Sequence, residues 1–173
     1  SLSEIEYPQE AHIDGYAFEG SLWQEERDKG KFRIRGSLLL EGRGNEGPVV
    51  EIPYGITEID DYGGLPGPTM LERSGVKYEQ AILPDTLVKL GTGSFRDVWV
   101  VKVNIPDGIK SISRYAFSIS EIQEIDLPEG IKTIEDSAFY DSDLKAIDIP
   151  DSVEVIEDGA FMECASLSEI TIP

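Results

Sequence analysis

Proline falls at positions 84, 106, 128, 150 and 173 and marks off the second half of the chain at intervals of 22, 22, 22 and 23 residues. A fixed period in the range of about 20–50 residues is the mark of a repeat architecture, and it constrains the fold more than any local propensity. Within each interval the apolar residues return at the same offsets. Three residues after the proline stand Leu87, Ile109, Ile131 and Val153; six after stand Leu90, Ile112, Ile134 and Ile156. At plus ten and eleven come Ser94-Phe95, Ala116-Phe117, Ala138-Phe139 and Ala160-Phe161. Ahead of the next proline, at minus six, three and one, come Val100, Val103 and Ile105; Ile122, Ile125 and Leu127; Leu144, Ile147 and Ile149; and Leu167, Ile170 and Ile172.

A unit this small cannot own a core, but stacked copies bury a continuous one in which each column becomes a ladder of like side chains. The stretch ending in I-x-[IL]-P is short and rich in β-branched residues, so it reads as a strand. Successive strands would then lie parallel, about 4.8 Å apart. Proline, which has no amide donor, ends the strand, and Asp107-Gly108 or Glu129-Gly130 makes the turn. The V/I-x-x-I piece suggests a second extended segment. The x-x-x-A-F piece, a small then a large apolar residue, suits a short helical turn with Phe pointing inward. The fold class expected is α/β: a leucine-rich-repeat-like solenoid with short parallel strands on one face and short helical turns on the other.

The unit I-P-[DE]-x-[VI]-x-x-I-x-x-x-A-F-x-x-(C)-x-x-L-x-x-I-x-[IL]-P, clearest from Leu83 to Pro173, resembles the BspA-like, treponemal-type leucine-rich repeat. The resemblance implies a curved right-handed solenoid, usually on bacterial cell-surface or secreted proteins, whose repeats mediate adhesion and protein binding and are not catalytic. Cys164 sits where that family often has Cys or Asn at the convex turn. The other units carry no such Cys, so a buried structural thiol is expected.

The same phase runs backward. Ile52-Pro53 opens a unit with Ile56 and Ile59 in place, but Pro53 to Pro84 is 31 residues. The excess is the Gly/Pro-rich DYGGLPGPTMLERSGV, after which Tyr78, Ala81 and Leu83 recover the three columns. SLSEIEYP, near-identical to the closing SLSEITIP, reads as a terminal strand with Leu2, Ile5 and Tyr7 inward. Residues 1–173 are therefore expected to form one solenoid domain: 1–82 degenerate, with insertions near 19–46 and 63–75, and 83–173 in four regular repeats. KFRIRGSLLLEG alternates as a strand does; it fits a degraded coil or an inserted hairpin, and a degraded coil with a protruding hairpin is preferred. Neither end carries the polar cap that solenoids generally need. Three explanations are open: a longer array, a few missing polar residues, or a partner chain, the last giving a homodimer through the C-terminal repeat.

Thirty-four acids against fifteen bases give a net charge of −19. That field repels phosphate backbones, so nucleic acid is not an expected partner. No apolar run reaches the roughly 18–20 residues of a membrane helix, so membrane insertion is not expected. No export leader stands at the start, and a signal would already be gone from a mature chain. The residues between the core columns should face outward from the sheet, and from them the candidate binding residues are Glu79, Lys102, Asn104, Gln123, Glu124, Asp126, Lys145, Asp148, Glu169 and Thr171. The column at minus two from the prolines is mostly acidic or amide, with Glu6, Glu51, Asn104, Asp126 and Asp148, which with Asp107, Glu129 and Asp151 make an acidic stripe whose complement is a basic surface. GTGSF at Gly91–Phe95 imitates a phosphate-cradling loop but occupies a repeat slot. Asp136, Asp141 and Asp143 lack the glycine and terminal Glu of a calcium loop. His12 is the lone histidine and reads as a surface residue; no catalytic residue, metal or cofactor is expected. Trp23, Trp99 and Tyr62 are candidate aromatic anchors, though Trp99, next to the Val100 column, fits packing at the convex turn equally well. The basic cluster from Arg27 to Arg43 could dock on the acidic solenoid or form a second contact site.

The function expected is a non-enzymatic interaction or adhesion module of a bacterial surface or secreted protein, binding a protein or glycan through the outer sheet face. The alternative is a cytoplasmic, immunity-type acidic inhibitor of a basic toxin or nuclease.

Overall fold

The computed structural model describes residues 32–42, 48–61 and 77–173. Along them run twelve short strands: β1 (Phe32–Arg35), β2 (Leu38–Gly42), β3 (Val49–Glu51), β4 (Glu58–Ile59), β5 (Tyr78–Ile82), β6 (Val100–Asn104), β7 (Ser111–Ile112), β8 (Glu124–Asp126), β9 (Thr133–Ile134), β10 (Ala146–Asp148), β11 (Val155–Ile156) and β12 (Glu169–Thr171). Coil after coil places one strand in a front sheet and one in a side sheet, parallel to their equivalents, except that the coil 85–106 contributes only a single bridge at Lys89 to the side sheet. The front sheet runs β3-β5-β6-β8 and continues past a parting as β10-β12. At the parting the Lys145 amide donates to the Gln123 carbonyl at 3.2 Å. The side sheet runs from β2 to β4, is bridged from Glu58 to Lys89, and resumes as β7-β9-β11. The chain is thus a parallel β-solenoid of leucine-rich-repeat type with about five turns.

Registry explains why the columns repeat. Ala81, Val103 and Ile125 pair in line across the front sheet, and Ile112, Ile134 and Ile156 across the side sheet. Phe95, Phe117 and Phe139 are fully buried. Together with Phe161 they stack with centroids 5.4, 5.5 and 5.3 Å apart and ring planes within 11°. Each proline closes its corner with the carbonyl it still has: Leu87, Ile109, Ile131 and Val153 donate their amides to Pro84, Pro106, Pro128 and Pro150 at 2.9–3.1 Å.

The slot expected to hold helical turns contains no helix among the described residues. Two backbone observations account for this. The residues at plus nine (Gly93, Tyr115, Ser137, Gly159) and plus thirteen (Asp97, Ile119, Asp141, Glu163) all have φ between 51° and 65°, a left-handed conformation that interrupts a right-handed helix. In addition, amides a helix would need are committed to the next coil. Phe95, Phe117 and Phe139 donate to the carbonyls of Ala116, Ala138 and Ala160, each at 2.8 Å, and Asp97, Ile119 and Asp141 donate to Ser118, Tyr140 and Met162 at 2.7–2.9 Å. Three-residue turn bonds fill the intervening positions, as from Ala116 to Ser113 (3.0 Å) and Ser118 to Tyr115 (3.1 Å). The back of the solenoid is a third inter-coil ladder.

In the first half, Ile56, Ile59, Tyr78, Ala81 and Leu83 are buried in the expected columns. KFRIRGSLLLEG contributes a hairpin: β1 pairs antiparallel with β2 around Gly36 (φ 56°), and β2 takes the side-sheet place beside β4. The segment is thus both a coil strand and a hairpin. The expected opening strand Leu2–Tyr7 and the insertion at 63–75 lie outside the described residues. At the other end, Val155, Ile156, Met162, Ile170 and Ile172 are exposed, and the amides of Gly159, Phe161 and Glu163 have no acceptor among the described residues.

Candidate functional site

Strands alternate, so inward Val103, Ile125 and Ile147 leave their neighbours facing out. At minus four from each proline the front face carries Gln80, Lys102, Glu124, Ala146 and Glu169. Four are long and polar; Ala146 is a gap. The gap coincides with the parting between β8 and β10, and there the face sinks into a hollow of about 570 Å³. Six of the ten candidate residues line it: Gln123, Glu124, Asp126, Lys145, Asp148 and Glu169. Ala146 and the half-buried Leu127 add apolar lining. Neither was among the sequence candidates, although the small residue in a column of long ones was there to be read.

The remaining four stand elsewhere. Glu79 is exposed on β5, two strands from β8. Lys102 reaches from β6 to Glu124 (3.5 Å) and Asp126 (3.6 Å). Asn104 clamps the preceding coil: its Nδ2 donates to the Leu83 carbonyl at 3.1 Å and its Oδ1 accepts from the Leu83 amide at 2.9 Å. Thr171 pairs with Asp148 in the β10–β12 register. Lys145 has no carboxylate within 4.0 Å among the described residues, and the Asp148 and Glu169 carboxylates form no ion pair or hydrogen bond there. One column further, Asp85, Asp107, Glu129 and Asp151 are exposed, one per coil.

The other sequence signals resolve into structure. Four of the five amides of GTGSF are engaged: Thr92 with Asp61 Oδ1 (2.8 Å), Gly93 with the Arg114 carbonyl (2.8 Å), Ser94 with the Gly91 carbonyl (3.2 Å) and Phe95 with the Ala116 carbonyl (2.8 Å). That loop has no amide nest for a phosphate. Asp136 pairs with Arg114 Nε at 2.8 Å. The Tyr115 hydroxyl, and after it Asp136, raises the Arg114 pKa further above its ordinary value. Cys164 is half-buried and donates to the Phe139 carbonyl; Ser120 and Ser142 occupy the same column, Ser120 donating to the Phe117 carbonyl at 2.7 Å and Ser142 contacting the thiol at 3.4 Å. Trp99 is half-buried. His12, Trp23, Tyr62 and the basic side chains between Arg27 and Arg43 lie outside what the structure describes. No group of three or more His, Cys, Asp or Glu suited to a metal, and no helix long and apolar enough to cross a membrane, occurs among the described residues.

Three inter-coil ladders around stacked apolar columns define the leucine-rich-repeat class. Within it, residues 74–173 match the BspA type leucine rich repeat region in six copies, and the chain belongs to that family. Among solved structures, it is similar to a leucine rich cell surface protein from Faecalibacterium prausnitzii, with 28% identity, a TM-score of 0.67, and 78% of this chain and 34% of that one covered. A leucine-rich repeat protein from Bacteroides ovatus gives 29% identity and a TM-score of 0.65, covering 80% of this chain and 37% of that one. The fold is also that of the T. pallidum leucine rich repeat protein, at 19% identity and a TM-score of 0.58, with 83% and 67% covered. The chain spans about a third of the length of the first two. No curated protein matches it.

Proposed function

We propose that the chain is a non-enzymatic interaction module of a bacterial surface or secreted protein, and that its front sheet face binds a basic surface of a partner protein. The observation that carries this reading is the hollow of about 570 Å³ over β8, β10 and β12 of that face, lined by four carboxylates. A sheet face with an excess of acids steers a basic partner and disfavours acidic ones. The similarity to a protein described as a cell surface protein supports the setting.

The test is selection of binders from a displayed peptide library, followed by competition with a variant carrying Asp126→Lys, Asp148→Lys and Glu169→Lys. The expected peptides are basic and lose binding to the variant. Acidic peptides, or peptides indifferent to the charge reversal, would move the interaction off this face. Protease shaving of intact cells expressing the full-length gene tests surface display; protection until lysis would overturn it.

A further inference from the structure

We propose that the hollow over Ala146 is a subsite for a single arginine side chain of the partner, a proposal that rests on the front face being the binding face. Three observations carry it. First, the charges are unevenly matched. Lys102 lies within 3.6 Å of both Glu124 and Asp126, whereas Asp148 and Glu169 on the far side have no ionic or hydrogen-bonding partner among the described residues. Second, these two carboxylates stand on neighbouring strands around Ala146. Ala146 pairs with Glu169, and Asp148 follows two residues along β10 on the same face. Asp148 and Glu169 are therefore diagonal neighbours, about 7–8 Å apart at the backbone, a span that the planar fork of a guanidinium can bridge by donating from opposite edges. An ammonium is a point charge and favours one. Third, the lining is amphipathic in the way an arginine stem requires: the Ala146 methyl and Leu127 offer apolar surface to its methylenes while the head reaches the acids.

Lys145 completes the arrangement. Its ammonium is exposed at the edge of the hollow with no carboxylate in ion-pair range. It disfavours a second cation beside the first and can donate to a main-chain carbonyl of the incoming segment. The subsite is selective through this mixture of charges, which the exposed Asp85–Asp107–Glu129–Asp151 column lacks.

The probe is N-acetyl-arginine amide, titrated into the isotopically labelled chain and followed by the backbone amide spectrum. N-acetyl-lysine amide and the uncharged N-acetyl-citrulline amide serve as comparisons. Saturating shifts should centre on Ala146, Asp148 and Glu169, with affinity about tenfold above that of citrulline and above that of lysine. Ala146→Leu fills the hollow at an exposed position, so its spectrum should remain that of the folded chain while affinity falls about tenfold. Shifts spread evenly along the Asp85–Asp151 column, equal binding of the lysine compound, or unchanged affinity in Ala146→Leu would each overturn the subsite. If library peptides lose binding on charge reversal while the arginine compound fails to localise, the subsite falls and the binding face stands. If the arginine compound saturates at Ala146 while the peptides ignore the reversal, the face reading falls instead.

Discussion

Ser94 buries a hydroxyl, at 2% exposure, for which no partner exists among the described residues. Its equivalents Ala116, Ala138 and Ala160 fill the same column without one. Ser94→Ala should therefore raise stability by about 1 kcal/mol, because an unsatisfied buried polar group is removed and nothing is lost; a lower midpoint in urea unfolding would contradict it. Ile119 presents the converse problem, a β-branched residue held at φ 56° with 38% of its surface exposed. Asn tolerates that backbone far better, so Ile119→Asn is expected to gain up to about 1 kcal/mol in the same assay. Gly91 cannot change at all cheaply. A Cβ there would lie 2.4 Å from the Asp60 carbonyl carbon, and Gly91→Ala should cost about 1–3 kcal/mol through the backbone shift it forces.

At the scale of the element, the coils are joined by ladders, and the side chains that brace them recur. Glu135 accepts from the Arg114 amide at 2.9 Å and from the Ser111 hydroxyl, and Glu157 accepts from the Asp136 amide at 2.9 Å. Phe117 sits at the middle of the ring stack, and Phe117→Ala should cost about 3–5 kcal/mol. Because each coil touches only its neighbours, hydrogen exchange in that variant should accelerate most in residues 85–150; uniform acceleration along the whole chain would show that the coils do not unfold as near-neighbour units. What was legible here was whatever a side chain records: the columns, the proline corners, and the recovery of phase at Tyr78, Ala81 and Leu83. The back turn was not legible, because Tyr115, Ser137 and Glu163 carry no mark of a left-handed backbone and x-x-x-A-F reads equally as a helical turn. Inter-coil hydrogen bonding decided between the two. The hollow was half legible: six lining residues follow from alternation along the strands, but the parting of β8 from β10 depends on backbone pairing that no residue announces.

For the molecule as a whole, the charge of −19 is arranged rather than scattered. Asp85, Asp107, Glu129 and Asp151 repeat at one coil per step in the turns that follow the prolines, and like charges stacked from coil to coil repel one another. Salt screens them, so the melting temperature should climb between about 10 and 150 mM NaCl. Glu129→Lys, which sets a cation between Asp107 and Asp151, should add about 0.2–1 kcal/mol and flatten that salt dependence. The back-turn ladder has a direction as well: every inter-coil amide there points toward the following coil, so two C-terminal faces brought together symmetrically would set donor against donor at Gly159, Phe161 and Glu163. The same ladders imply a mechanical character. A pull on the two ends of the chain loads only one coil's bonds at a time, as when thread leaves a spool, and each release lengthens the polypeptide by about 70 Å. Such a module would yield in small equal steps at modest force and rewind when slack returned.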